Sequence, residues 1–182
     1  MRILIAEDES IIRMGLKSML QEMGHEVFAA ADGHAALQLA HRHRPDMAIL
    51  DIKMPKTDGL QVAKTLARTQ PMPILLLTAY SQQDLVDRAT ELPIQGYLVK
   101  PIQPPELSAA IAVAKKRFAE TQALEAENIR LEEKLETRKL IDKAKGKLME
   151  RGLSEEEAYQ AMQKHARANR LSLKEVAEAV LR

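Results

Sequence analysis

Three carboxylates in this sequence stand where apolar runs stop. The run 3–6 gives way to Glu7 and Asp8, and the run 47–50 gives way to Asp51. Two further apolar segments end in a hydroxyl, Thr78, and in a cation, Lys100, which Pro101 follows. A carboxylate at the end of a buried segment costs folding energy unless it is solvated, paired or metal-bound. Glu7, Asp8 and Asp51 would repel one another at neutral pH, because free carboxylates titrate near about pH 4. A hard divalent cation relieves that repulsion, and Mg2+ is commonly held by carboxylates together with phosphate oxygens and water. Aspartate is also a nucleophile toward phosphoryl groups. With Asp51 as acceptor, Lys100 and Thr78 would bind the oxygens of the transferred group, the division of labour that phosphoryl transfer requires. Alone, an Asp51 followed by Pro55 and Asp58-Gly59 is an ordinary turn-forming aspartate. The agreement of several strand ends argues for chemistry.

Such a set needs a sheet whose strands all finish at one edge. Hydrophobic patterning predicts strands over 2–6, 26–30, 47–50, 74–78 and 96–99. The run 47–50 is apolar at every position, as in a central strand covered on both faces. Helical patterns occupy 11–23 (apolar Ile12, Met14, Leu16, Met19 and Leu20), 33–44, 60–69 and 82–91, and a last helix starts after Pro104-Pro105. Five strands alternating with five helices predict an α/β fold with a doubly wound parallel sheet. Ligands of such sheets bind in the crevice at the carboxyl ends of the strands, where Asp51 falls.

The fifth helix does not stop where the sheet domain should. Leu107, Ile111, Ala114 and Phe118 form its sheet-facing stripe, and the period then changes to Leu124, Asn128, Leu131 and Leu135. That is a heptad seam with one asparagine at a core position, a device that fixes register and strand number. The seam predicts a dimer contact. The remaining segment reads as three short helices, the first closed by Gly152. Ser154 with Glu157, and Ser172 with Glu175, are capping boxes, each flanked by apolar staple residues. The inward faces are read as Ile141, Ala144 and Leu148; Ala158, Tyr159, Met162 and Ala166; and Leu173, Val176, Ala177 and Val180. The predicted organisation is therefore a sheet domain over 1–118, a helical coil over 119–137 and a small three-helix all-α domain over 138–182.

Composition narrows the function classes. The 182 residues are 46% hydrophobic and 29% charged, with no cysteine. This describes a soluble globular chain with neither disulfides nor thiolate metal sites, compatible with a reducing cytoplasm. The first apolar run is cut off by Glu7, Asp8 and Glu9, which argues against a signal peptide. No run is long enough to span a bilayer. A net charge of +1 implies no bulk attraction to nucleic acid or membrane, so a local patch must serve any such partner.

Glu7-Asp8, Asp51 with Met54-Pro55 and Asp58-Gly59, Thr78-Ala79, and Tyr97 ahead of Lys100-Pro101 together resemble a two-component receiver domain, over residues 1 to 118. The resemblance implies that a histidine kinase phosphorylates Asp51. It implies Mg2+ bound by Glu7, Asp8, Asp51 and the backbone carbonyl of Lys53. It further implies that Thr78 and Tyr97 reorient on phosphorylation, that Lys100 contacts the phosphoryl group, and that Lys100-Pro101 is a cis peptide. Glu7 stands where many members carry Asp, and both residues ligate metal.

The tail resembles an ANTAR domain, the RNA-binding module of transcription antitermination regulators, from about 124 to 182. Its marker is the run Ala144-Lys145-Gly146-Lys147-Leu148-Met149. Lys139, Lys143 and Lys147 recur at helical spacing on one face, and Arg138 and Lys145 add charge nearby. Gly inside a helix costs roughly 1 kcal/mol relative to Ala, so Gly146 suggests a close approach to the backbone by a phosphate or by a neighbouring helix. These six residues are the expected RNA contacts. Tyr159 is the one aromatic of the tail, so shape recognition of a hairpin suits better than a stacking platform. A DNA-binding helix-turn-helix is the alternative, although Glu155, Glu156, Glu157, Glu175 and Glu178 crowd those helices. The tail carries no enzymatic constellation. The sequence thus predicts a cytoplasmic, non-enzymatic response regulator, with a sensor histidine kinase and an RNA hairpin as partners and a homodimer when phosphorylated.

Overall fold

The computed structural model describes residues 1–55, 57–79 and 93–182; the helix expected over 82–91 lies outside the described residues. The chain divides into two compact units, Met1–Thr121 and Gln122–Arg182.

The first unit holds strands β1 (Arg2–Ala6), β2 (Glu26–Ala30), β3 (Met47–Asp51), β4 (Ile74–Thr78) and β5 (Gly96–Val99), with helices α1 (Ser10–Glu22), α2 (Gly33–His43) and α3 (Gly59–Thr69) between them. The strands form one parallel sheet in the order β2-β1-β3-β4-β5. Every residue of β3 and β4 is buried, as their unbroken apolar composition requires. Leu4, Ala6, Leu50 and Leu76 pack on one face with α2 and α3 residues such as Ala36, Ala40, Val62 and Leu66. Ile3, Ile5, Ile49 and Leu77 pack on the other with Leu16, Leu20, Leu107, Ile111 and Ala114. One expected core position is corrected: Met14 is 71% exposed, because the inward positions of α1 are taken by Leu16 and Leu20.

Helix starts are set by side-chain caps. Asp32 accepts a hydrogen bond from Ala35 N at 2.8 Å and Asp58 one from Gln61 N at 2.7 Å. The strand order reverses between β1 and β3, so the carboxyl ends of these two strands flank the switch-point crevice.

Helix α4 spans Pro104–Met149, and its residues from Gln122 onward belong to the second unit with α5 (Glu155–Asn169) and α6 (Leu173–Leu181). The first of the three expected tail helices is therefore the last stretch of α4, with no break at Arg138. Helix formers such as Ala, Leu, Glu, Lys and Arg fill this stretch. The helix ends before Gly152, whose φ of +95° suits glycine. Both capping boxes are formed reciprocally, Ser154 with Glu157 and Ser172 with Glu175.

Ala144, Met162, Ala166, Val176 and Ala177 make the small core of this unit, joined by half-buried Ile141, Leu148, Leu173 and Val180. Tyr159 is not in it. Ala158 takes the inward position, and the next residue turns about 100° around the helix, leaving Tyr159 38% exposed.

Candidate functional site

The ends of β1, β3, β4 and β5 converge as the sequence requires. Asp51 closes β3 in register with Leu77, and Thr78 closes β4 opposite Val99. Lys100 follows directly, its N–H donating to the Thr78 carbonyl at 2.9 Å, and the Lys100-Pro101 peptide is cis. This backbone path aims the Lys100 ammonium across the sheet edge. Its Nζ donates to Asp51 Oδ2 at 2.8 Å and lies 2.6 Å from Glu7 Oε2.

Glu7 and Asp51 are buried, whereas Asp8 is exposed at the mouth. Carboxylate oxygens of all three lie within 4.8 Å of one another. Burial holds the Glu7 carboxyl above its ordinary pKa, with the Asp51 charge adding to the effect and Lys100 opposing it. Burial alone would pull the Lys100 ammonium down, but its hydrogen bonds to Asp51 and Glu7 outweigh that and raise it. Lys100 is thus held charged between two acids. The Lys100 contact with Glu7 Oε2 is an ion pair off the hydrogen-bonding angle, so among the described residues that buried oxygen has no aligned hydrogen-bond partner. Three close carboxylates, one solvent-facing and one with an unsatisfied oxygen, suit a hard divalent cation.

The supporting contacts are local. Lys53 N donates to Asp51 Oδ1 at 3.3 Å, and Glu9 N to Glu7 Oε1 at 3.2 Å. Gly59 N donates to the Ile52 carbonyl at 3.0 Å, drawing the start of α3 under the loop that follows Asp51. The Thr78 hydroxyl is buried and donates to the Ala79 carbonyl at 3.1 Å. Tyr97 is 58% exposed on the edge strand β5. Arg13 was not singled out from the sequence. Its guanidinium donates to the Glu7 and Asp8 carbonyls at 2.7 and 3.0 Å, pinning the loop that carries both acids. An arginine on the first turns of a helix carries no signal of such a contact.

The expected basic set of the second unit is divided. Arg138 and Lys145 line a groove together with Arg130, Lys134 and Tyr159. Lys147 lines another, with Arg151 and His165. Lys139 and Lys143 are exposed, and Lys139 pairs with Glu136 at 2.9 Å. Lys145 is largely covered and bridges Asp142 at 2.9 Å and Glu155 at 2.8 Å. A Cβ at Gly146 would meet nothing within 4 Å. Close approach by a neighbouring helix, one of the two explanations for that glycine, is therefore overturned. The seam residues Leu124, Leu131 and Leu135 are 68%, 46% and 57% exposed, and Asn128 is exposed between them. Ile129, beside the seam and absent from it as read, is 59% exposed.

A doubly wound sheet with an acidic, lysine-braced pocket at its switch point, joined to a small helical unit, defines a receiver with an output module. The profile of the response regulator receiver domain matches residues 3–112, and that of the ANTAR domain matches residues 130–181. The chain belongs to the two-component response regulators, among those whose receiver is followed by an ANTAR domain. The ANTAR match takes in both helices on which the helix-turn-helix alternative depended.

The transcriptional regulatory protein PdtaR of Mycobacterium tuberculosis is 47% identical over 182 residues, covering 99% of this chain and 89% of that protein. The probable transcriptional regulator ycf27 of Galdieria sulphuraria is 43% identical over 118 residues, covering 64% of this chain and 46% of its own. Among solved structures, a response regulator receiver domain protein from Clostridium thermocellum superposes with a TM-score of 0.60 at 31% identity, over 64% of this chain and 94% of that one. The chemotaxis response regulator CheY4 of Vibrio cholerae gives 0.58 at 31%, over 62% and 97%. Among the described residues, no helix is long and apolar enough to cross a membrane.

Proposed function

We propose that Asp51 is the phosphoacceptor for a sensor histidine kinase, and that its phosphorylation controls RNA-hairpin binding by the tail in transcription antitermination. The observation that carries this reading is the 2.8 Å contact between Lys100 Nζ and Asp51 Oδ2 at the switch point, beside Glu7 and Asp8. An Asp51 oxygen attacks the phosphorus of a phosphohistidine. The P–N bond breaks as the P–O bond forms, and the leaving imidazole nitrogen keeps the electron pair. Lys100 is already placed to follow the transferred oxygens. Mg2+, held by Glu7, Asp8, Asp51 and the Lys53 carbonyl, supplies charge neutralisation when bound.

Thr78 gives up its bond to the Ala79 carbonyl to donate to the phosphoryl group, and Tyr97 turns inward from its exposed position. The shift biases a two-state equilibrium toward pairing of the seam Leu124, Asn128, Leu131 and Leu135. Two ANTAR modules then act on one RNA and gain avidity. In this scheme residues 1–118 receive the signal, 119–137 form the coil, and 138–182 bind RNA through Arg138, Lys139, Lys143, Lys145, Gly146 and Lys147. The protein works in the cytoplasm and has no enzymatic output.

The test is binding of the full-length protein to RNA hairpins and to duplex DNA across a salt series, with and without Mg2+ and an acyl-phosphate donor. The expected result is tighter hairpin binding on phosphorylation, lost in Asp51→Asn. Preference for DNA, or no response to phosphorylation, would overturn the reading.

A further inference from the structure

The helical unit carries a groove that the basic helix face alone does not account for. Arg130, Lys134 and Arg138 recur at every fourth residue along α4 and form one edge of it, with Ile141 at its apolar base and Tyr159 of α5 on the opposite side. Tyr159 is the one aromatic residue between Phe118 and the end of the chain. It is 38% exposed, although its neighbour Ala158 is fully buried.

The acids that could repel an anion here are already engaged. Asp142 is paired with Lys145 at 2.9 Å, and the same ammonium holds Glu155 at 2.8 Å. Lys145 thereby ties α4 to α5 and fixes the wall on which Tyr159 stands. Arg130 shares its charge with Glu127 across a looser 3.8 Å pair, and Glu133 is the remaining carboxylate along the groove. The net lining is cationic on one side and aromatic on the other.

A flat ring facing a row of cations has a definite chemical complement. Unpaired nucleotides offer a π face for an aromatic side chain and phosphates for arginine and lysine. We propose that the groove lined by Arg130, Lys134, Arg138 and Tyr159 seats an unpaired loop nucleotide of the bound RNA, with its base stacked on Tyr159 and its flanking phosphates on the cations. This rests on the RNA-binding reading above and deepens it. The exposed lysine face contacts the stem wherever it lies, while the groove reads the loop. Lys145 is then a positioning residue, which holds the groove together rather than touching RNA.

The experiment uses the full-length protein phosphorylated on Asp51 and a hairpin selected by wild-type binding from a loop-randomised pool. 2-Aminopurine is placed at one loop position at a time. The expected result is quenching at a particular position, kept in Tyr159→Phe. In Tyr159→Leu, which preserves apolar bulk without a π face, quenching is lost and affinity falls roughly tenfold or more. Salt dependence in Tyr159→Leu stays at the wild-type slope, whereas Lys134→Ala and Arg138→Ala each lower that slope by about one. Unchanged affinity and quenching in Tyr159→Leu overturns the groove and leaves RNA binding standing. Equal weakening toward a fully paired stem without a loop overturns it too, since that marks general damage. If wild type binds no hairpin from the pool, both readings fall.

Discussion

The α-carbon of Gly59 lies against the main-chain carbonyl of Asp51, so close that a Cβ at position 59 would overlap that oxygen. This approach, with the Gly59 N–H on the Ile52 carbonyl, sets the start of α3 and holds the end of β3 in place. Gly59→Ala must displace backbone rather than a flexible side chain. It is expected to cost about 1–3 kcal/mol, the range for overpacking a dense interior, and to slow phosphorylation of Asp51. Urea unfolding and the rate of labelling by an acyl-phosphate donor measure the two effects separately. Wild-type values in both would show that α3 can shift without moving Asp51.

Metal removal gives a second expectation. A ligand that binds only the folded state stabilises it by about 2.7 kcal/mol at a hundred times its dissociation constant. Mg2+ at such a concentration should raise the stability of the sheet unit by that order relative to EDTA. Asp8→Ala should abolish most of the gain. Because Asp8 is exposed, its loss leaves the apolar core intact, so the metal-free stabilities of mutant and wild type should be close.

Acid should loosen the helical unit through its caps. Glu157 and Glu175 are held below their ordinary carboxylate pKa chiefly by the backbone N–H groups of Ser154 and Ser172. A carboxylate with a depressed folded pKa contributes stability that is present above its unfolded value, printed as 4.5 for Glu, and is lost as pH falls through the folded value. Helicity of this unit should therefore decline below that pH. Ser154→Ala or Ser172→Ala should each cost about 1 kcal/mol at neutral pH and flatten the acid response. Circular dichroism across pH follows it directly.

Self-association tests the coil. Leu131→Lys should keep the phosphorylated protein monomeric in sedimentation, whereas Asn128→Leu should tighten association while relaxing register or copy number. Dimers of Leu131→Lys at wild-type strength would remove the seam from the proposed mechanism.

Much of the receiver was legible because its strands are short apolar runs and its chemistry sits where they stop. Asp51, Thr78 and Lys100 needed only the rule that a parallel sheet collects its strand ends on one edge. Arg13 was not legible, since its bonds to the Glu7 and Asp8 carbonyls depend on the path of a loop rather than on any periodicity. In the tail, the capping boxes are contiguous signals and were read correctly. Charge at helical spacing is weaker information. It placed Lys145 among the free cations, although two carboxylates hold it. It placed Tyr159 in the core, although a single turn of residue position carries it to the surface.

The seam and the groove are written into the same stretch of α4, with Leu131 and Leu135 interleaved between Arg130, Lys134 and Arg138. This imposes a rule on how such genes can change length. One added codon between Leu124 and Arg138 rotates everything after it by about 100°, throwing the later leucines off the stripe and swinging the cations away from Tyr159. Seven added codons restore both alignments at once, to within the small drift of an α-helix against a heptad. Descendants of this sequence can therefore drift freely in the side chains between these positions, but their helix should lengthen or shorten in whole heptads.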